Sequence, residues 1–524
     1  MEKICIDCQN AFQIDEQDQQ FLKNLTPVVN NETFPIPLPE QCWKCRLKLR
    51  LSFMNDSNLY YRNCDATGKQ MITNYTPDKK YKIYNPTSWY SDEWNPLEYG
   101  QEINWNEPFF SQYERLFKKV PRLALSQGKS MENAEFNNHS DRLKDCYFNI
   151  QSIDSLNCCY NDLMIGSKDS FDNTFCIKNE LCYETIYSKN NYNVSFAVAS
   201  DNCRDSLFLK DCKGLSNCFM CANLEYKEYH IKNKPYTKEE YFKAKELLMK
   251  ELNENETILK KEFDGYISDF KSKKHLENCE DCNGDFLQNS SNCRESYLGE
   301  NNENVHYSYF ATNQKDTMDC SGHRLEHSYF ANICGDNSYN CYWSIACWEN
   351  TRDIFYSDYI FTGSHDLFGC IGLKKKSFCI LNKQYTEEEY KELVPKLIKH
   401  MQSTDEWGKF FPIGLSPFAY NETRAHDFFP LTEEEALKSG YFWKEEKNSE
   451  EQGTTTLIKP IETYSDEKKG KELLLSTLRS EVSGKPYKII PQELAFHLKQ
   501  NLPLPKREPR ERMRDRFRKL INIT

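Results

Sequence analysis

The stretch CYFNIQSIDSLNCCYNDLMIGSKDSFDNTFCIKNELCY, residues 146–183, decides the fold. Short aromatic or cysteine beats stand in it, Cys146-Tyr147-Phe148, Cys159-Tyr160, Ser170-Phe171 and Cys182-Tyr183, separated by Asn, Asp and Ser. They return at about 11 to 13 residues, an interval too short for a helical repeat and suited to half-turns of a parallel β-solenoid. The pattern runs from about Asn137 to Lys234, through Ser206-Leu207-Phe208 and Cys218-Phe219, with a weak step near Tyr192. A second series runs from Cys279 to Lys383, through Ser296-Tyr297, His306-Tyr307, Ser328-Tyr329, Cys341-Tyr342, Phe355-Tyr356 and Phe368.

The two series end alike. Residues 221–241 align without a gap on residues 370–390, from Cys221 on Cys370 through His230 on Cys379 to Tyr241 on Tyr390. In each copy a threonine precedes a glutamate by three, Thr237 before Glu240 and Thr386 before Glu389, which reads as a capping box that opens a helix. The chain therefore carries an internal duplication of a solenoid-plus-helix unit.

Around these segments the rest falls into place. Residues 1–55 read as a zinc ribbon with a strand Ala11–Ile14 and a short helix opened by Asp15. Residues 56–135 read as an aromatic hairpin and helix, with turn signals at Ala66-Thr67-Gly68-Lys69 and a helix-like stretch from Phe109 to Lys118 closed by Pro121. The first solenoid segment and its helix take 136–275. The second takes 276–442 with a helix, an aromatic loop around Glu406–Thr423 and a short helix capped by Thr432 that Gly440 can close. Residues 443–475, rich in Glu, Lys, Ser and Thr, read as a linker, and 476–524 as a second, metal-free ribbon with a basic tail. The fold class expected is mainly β with helical inserts: tandem parallel β-solenoid-like segments flanked by an N-terminal zinc ribbon and a C-terminal degenerate one.

Four cysteines define the first ribbon: Cys5 and Cys8, then Cys42 and Cys45. Two Cys-x-x-Cys knuckles supply the closed set of four thiolates that a structural zinc requires, with no position left open for catalysis. The loop between the pairs is longer than in common zinc ribbons. Placing Ser483 on Cys8 puts Tyr487 on Phe12, Ile489 on Ile14 and Pro503-Leu504-Pro505 on Pro37-Leu38-Pro39. Ser480, Ser483, Glu508 and Glu511 then occupy the ligand positions, so the apolar frame is kept without the metal. Elsewhere, Cys218 and Cys221 with His230, and Cys279 with Cys282, have partial ligand spacing for a second metal. The competing reading is that these thiols pack as small apolar residues inside the solenoid. His323 and His327, in a strand-like region, read as polar surface groups.

The chain has 524 residues and 23 cysteines, an odd number in a sequence without a secretory leader pattern, which points to thiols and metal ligands in the cytoplasm rather than to a disulfide framework. No window is apolar enough for a membrane helix. The net charge of −11 disfavours a polyanion partner overall, but Lys506–Lys519 is strongly basic, so a nucleic-acid surface would be local. Arg46 and Arg50 follow the second knuckle of the first ribbon, and Arg512 and Arg516 fall on the same places in the last one. Beside a rigid knuckle such guanidiniums suit phosphate contacts, and Trp43 suits stacking on a base. The alternative is a charged helix whose arginines pair with its own Glu508, Glu511 and Asp515. No phosphate loop, nucleophile elbow, dinucleotide fingerprint or metalloprotease helix occurs in the sequence.

Several strings resemble a group of cysteine-rich zinc-ribbon proteins, caulimovirus-type zinc-finger-like, of candidate-phyla bacteria. They are Cys5, Cys8, Cys42 and Cys45 with Phe12 and Ile14, Cys64-Asp-Ala-Thr-Gly-Lys69, Trp89-Tyr-Ser-Asp-Glu-Trp94, Phe378-Cys-Ile-Leu-Asn-Lys383 and Ser416-Pro-Phe-Ala-Tyr-Asn-Glu-Thr423. The resemblance implies a zinc ribbon and carries over no activity. Similar proteins keep cysteines in the C-terminal module, and this chain does not. The expectation is a non-enzymatic zinc-binding scaffold that contacts nucleic acid or a ribonucleoprotein through its ribbon arginines. The alternatives are a protein-assembly module that uses the solenoid surface, and a β-solenoid enzyme.

Overall fold

The computed structural model describes residues 1–128, 130–271, 273–445 and 458–520. It is mainly β, with helices, and is dominated by two large parallel-rich sheets of 11 and 12 strands. Two compact units form. One joins residues 1–124 to 274–444, and the other joins the described residues of 125–273 to those between 445 and 520.

The 11-stranded sheet runs from Met131–Glu132 to Lys234–Pro235. Its register advances by 12 residues at each step, Asp141 beside Ile153, Ile153 beside Ile165, Ile165 beside Ile177 and Ile177 beside Lys189, all parallel. Twelve residues therefore bring the chain back beside itself, so the beat marks a whole repeat and not the half-turn expected. The backbone explains the number. Every third residue takes a positive φ, as at Asp154, Asn157, Tyr160 and Leu163, which gives four bends per repeat. Left-handed geometry costs a residue other than glycine roughly 1–2 kcal/mol, and Asn and Asp tolerate it best. Their abundance in the sequence is the trace of these bends.

Inside the ladder the bent backbone must find acceptors, and a column of asparagines provides them. Asn149 N–H donates to Asn137 Oδ1 at 2.7 Å, Asn161 N–H to Asn149 Oδ1 at 3.1 Å, and Asn173 N–H to Asn161 Oδ1 at 2.8 Å. Cys182, Cys203, Cys212, Cys218 and Cys221 pack with Val194, Leu209 and Leu215. The ladder closes on a hairpin, Glu228–Ile231 against Lys234–Pro235. Helix Lys238–Ser268 follows, opened by the Thr237/Glu240 capping box and broken at Asn255.

The 12-stranded sheet, Leu276–Glu277 to Lys383–Gln384, repeats this plan. It steps by 12 at Tyr297 beside Tyr309 and by 13 from Tyr339 to Arg352 to His365. Its closing hairpin, Ser377–Ile380 with Lys383–Gln384, leads to helix Glu387–Ser403 under the Thr386/Glu389 box, as the duplication requires. A large aromatic core lies on one flank, where Trp343, Tyr356 and Phe368 meet Phe109 and Tyr113 of helix Phe109–Lys119. The aromatic loop adds Trp407, Phe410 and Phe411. Thr432 caps Glu433–Lys438, and Gly440 follows it at φ +80°.

The expected hairpin is Tyr60–Asn63 paired antiparallel with Gln70–Thr73. The linker expectation needs correction. Residues 446–457 lie outside the described residues, but Ile461–Ser465 and helix Glu467–Leu475 are ordered because Ile461, Tyr464 and Leu473 are buried with Leu478, Tyr487 and Leu504. Scattered apolar anchors in a polar stretch hold Ile461–Leu475 in place. No helix among the described residues is long and apolar enough to cross a membrane.

Candidate metal centre

Strand Glu2–Ile4 pairs antiparallel with Ala11–Gln13, and the turn between them holds the first two cysteines. Cys5 N–H donates to Asn10 O at 2.9 Å and Gln9 N–H to Cys5 O at 3.0 Å, with Gln9 at φ +60°. Cys42 is the N-cap of helix Trp43–Leu51, and Cys45 lies one turn in. Cys42 N–H also donates to Cys5 Sγ at 3.3 Å. All four sulfurs lie within 4.8 Å of one another, so the group could hold a metal ion. Hydrogen bonding from Cys45 holds the Cys42 thiol down at about 5, and the same contact pushes Cys45 up. One thiolate is thus favoured without a cation, and a metal would stabilise the rest.

The C-terminal hairpin, Leu478–Arg479 with Pro486–Tyr487, has the same turn. Ser480 N–H donates to Lys485 O and Gly484 N–H to Ser480 O, both at 2.9 Å. Where the metal would sit, the Ser480 hydroxyl donates to the Glu511 carboxylate, and Glu511 N–H donates to Glu508 Oε2 at 3.1 Å. A serine–glutamate hydrogen bond stands at the place that the thiol cluster takes in the first hairpin.

The turn signalled at Ala66-Thr67-Gly68-Lys69 is a third one of this kind, a likeness that its residue types do not announce. Cys64 N–H donates to Lys69 O and Gly68 N–H to Cys64 O, each at 2.8 Å. Asn85, the N-cap of helix Pro86–Tyr90, donates its N–H to Cys64 Sγ at 3.3 Å, as Cys42 does to Cys5. Cys64, Thr67, Asn85 and Ser88 thus stand in knuckle positions with one cysteine among them. The signal was the six-residue step from Cys64 to the next strand at Gln70, which matches Cys5 to Ala11 and Ser480 to Pro486.

The ribbon arginines do not face solvent. Arg46 Nε and Arg50 Nη1 meet the two oxygens of Asp319 at 2.7 and 2.9 Å, with side chains at most 5% exposed. Arg516 Nη1 and Arg512 Nη1 divide the oxygens of Asp172 in the same way, the first at 2.6 Å. Asp319 follows Tyr307 by one repeat, and Asp172 follows Tyr160 by one repeat. Arg46 lies over the Tyr307 ring at 5.3 Å and Arg512 over the Tyr160 ring at 4.8 Å. Arg50 and Arg516 donate to the carbonyls of those tyrosines at 3.3 and 2.7 Å. Each ribbon is clasped to a ladder by two guanidiniums on one buried aspartate. Trp43 stacks on Tyr297 and Tyr307, with centroids 6.0 and 6.4 Å away. The surface contact role expected for Trp43, Arg46, Arg50, Arg512 and Arg516 does not fit these positions, because the four guanidinium charges are paired with buried aspartates and Trp43 stacks on two ladder tyrosines.

The second metal set is not assembled either. Among the described residues only Cys5, Cys8, Cys42 and Cys45 converge as a cluster of metal-ligating groups. Cys218 and Cys221 are fully buried in the ladder, and the His230 ring bonds the Glu228 carbonyl at 2.7 Å. The Cys279 and Cys282 thiols bond ladder carbonyls, Leu287 O at 3.4 Å and Ser290 O at 3.3 Å. Burial pushes ladder thiols up, Cys176 to about 11 and Cys203 and Cys212 to about 12, so they pack as neutral groups. His323 and His327 lie on strand Gly322–Tyr329. No protein-family model matches the chain, and no curated protein matches it.

Proposed function

We propose that the protein is a non-enzymatic, zinc-stabilised scaffold whose two ladders are parallel β-solenoids braced by ribbons, with the outer ladder surface serving a protein partner. The observation that supports this reading is the clasp: both ribbons spend their arginines on a ladder aspartate, so a ribbon acts as a brace and not as a reader of phosphates. Exposed apolar residues favour a protein over a nucleic acid. Ile153, Ile165 and Ile177 stack on successive repeats, and Ile165 is 45% exposed.

Zinc suits the N-terminal cluster because four thiolates at about 2.3 Å from the metal lie about 3.8 Å apart, and Cys8 and Cys42 Sγ stand at 3.8 Å. The reduced thiols along both ladders fit a cytoplasmic setting, and kinship with the cysteine-rich zinc-ribbon group belongs to the same reading. Two measurements test it. Elemental analysis should give one zinc per chain, lost in Cys42→Ser; more than one would show that ladder thiols also bind metal. Affinity capture with the wild type and Ile165→Asp should recover a protein that the variant loses, whereas recovery of nucleic acid alone by both forms would reject the partner reading.

A further inference from the structure

In the unit that holds the first ladder, a cleft of about 420 Å³ opens between the ladder, the helix broken at Asn255 and the last helix, Pro509–Leu520. Its volume is in the roughly 300–1,000 Å³ range of small-ligand sites. The floor is apolar, with Ile186, Phe196, Phe208 and Phe263. The walls carry eight cationic side chains against five carboxylates, in a chain whose net charge is −11. Such a local excess in an acidic protein concentrates anions.

The hydrogen-bond account points the same way. Three of the carboxylates are already spent: Glu184 and Glu256 on Lys260, at 2.9 and 2.7 Å, and Asp515 on Arg507. Lys210, Lys261, Lys506 and Lys519 make no ion pair among the described residues. Arg507 Nε and Arg512 Nε are buried donors without an acceptor. Buried donors in native structures have partners. A ligand that supplies several acceptors and negative charge, and lays a flat apolar part on the floor, completes the site.

We infer that this cleft binds a nucleoside phosphate, the phosphates on Lys506, Lys519 and the arginine edge, the base against the apolar floor, where Lys260 lies over the Phe196 ring at 4.8 Å. The site is independent of the partner proposed for the ladder surface. It also gives the basic segment Lys506–Lys519 a role that its clasped arginines do not explain.

Calorimetric titration of the full chain with ADP tests the site, with adenosine and inorganic pyrophosphate as further probes. Lys506→Gln/Lys519→Gln removes two cations that take no part in the clasp, and circular dichroism checks that the variant is folded. ADP should bind the wild type, weaken as salt rises, and lose roughly tenfold or more in the variant; adenosine should bind roughly tenfold more weakly than ADP. A short oligoadenylate that binds more tightly than ADP, and depends on the same lysines, would support the site and identify its phosphates as those of a strand. Absence of ADP binding at millimolar concentration, or equal binding by the variant, would overturn the inference.

Discussion

Asp319 and Asp172 each neutralise two guanidiniums in a space that water does not reach, and this arrangement sets what substitution will do. Asp319→Asn keeps the shape but leaves two buried cations unbalanced, at an expected cost of roughly 3–5 kcal/mol. Urea unfolding measures it, and a loss below about 1 kcal/mol would mean that the pairs behave like surface ones. Replacing Arg46, Arg50 and Asp319 together with apolar residues should recover most of the loss. Glu493, fully buried beside Arg512, is pushed up to about 7 by burial, against the pull of that guanidinium. Unfolded, it releases its proton near 4.5. Its contribution is therefore complete below that pH and is lost as pH rises through about 7, by at most roughly 3 kcal/mol. His497 runs the other way. Burial holds it down at about 3, so its contribution is present above its usual 6.5 and is lost as pH falls toward 3. The two slopes oppose each other in the wild type. Glu493→Gln should gain stability relative to wild type between pH 5 and pH 8, and parallel melting profiles would refute this.

At the scale of elements, the two capping boxes are equivalent devices at the ends of the two ladders. Thr237→Ala and Thr386→Ala should each cost about 1 kcal/mol, read as a shift in the thermal midpoint. Within the second ladder Gly322, at φ +129°, is a point of close approach, since a Cβ there would stand 1.9 Å from the Cys334 carbonyl oxygen. Gly322→Ala should destabilise by roughly 1–3 kcal/mol, and a neutral outcome would mean that the register between Gly322–Tyr329 and Cys334–Tyr342 slides freely. These elements were largely legible beforehand. Capping boxes, the hairpin within 56–135 and a beat of about 11 to 13 residues all arise from contacts a few residues or one repeat apart, and such contacts leave a periodic record, whereas the hairpins that close the ladders did not show in it. The Cys64 knuckle was not legible as one, because Thr67, Asn85 and Ser88 carry no metal signature, and only the shared turn hydrogen bonds reveal it.

For the whole molecule, the pairing of modules is the feature with most consequence. The N-terminal ribbon belongs to the same unit as the second ladder, and the C-terminal ribbon to the same unit as the first. Removing metal should therefore act on one unit. With a strong chelator, hydrogen exchange is expected to rise in Glu2–Gln13 and Trp43–Leu51, while Leu478–Tyr487 stays protected, because the Ser480–Glu511 bond needs no metal. Equal loss of protection in both ribbons would contradict a metal confined to Cys5, Cys8, Cys42 and Cys45.

The sequence by itself determined the mainly β architecture, the duplication, the two caps and the four-cysteine cluster. Each depends on side-chain types at short or regular spacing, which local hydrogen bonding and ligand chemistry dictate. Only the tertiary structure decided that Arg46 and Arg50 would close on Asp319, some 270 residues away, and that the ladder cysteines would pack instead of binding metal. A guanidinium reads the same in a sequence whether it awaits a phosphate or already holds a buried carboxylate. The difference is desolvation, and desolvation exists only once distant segments have come together.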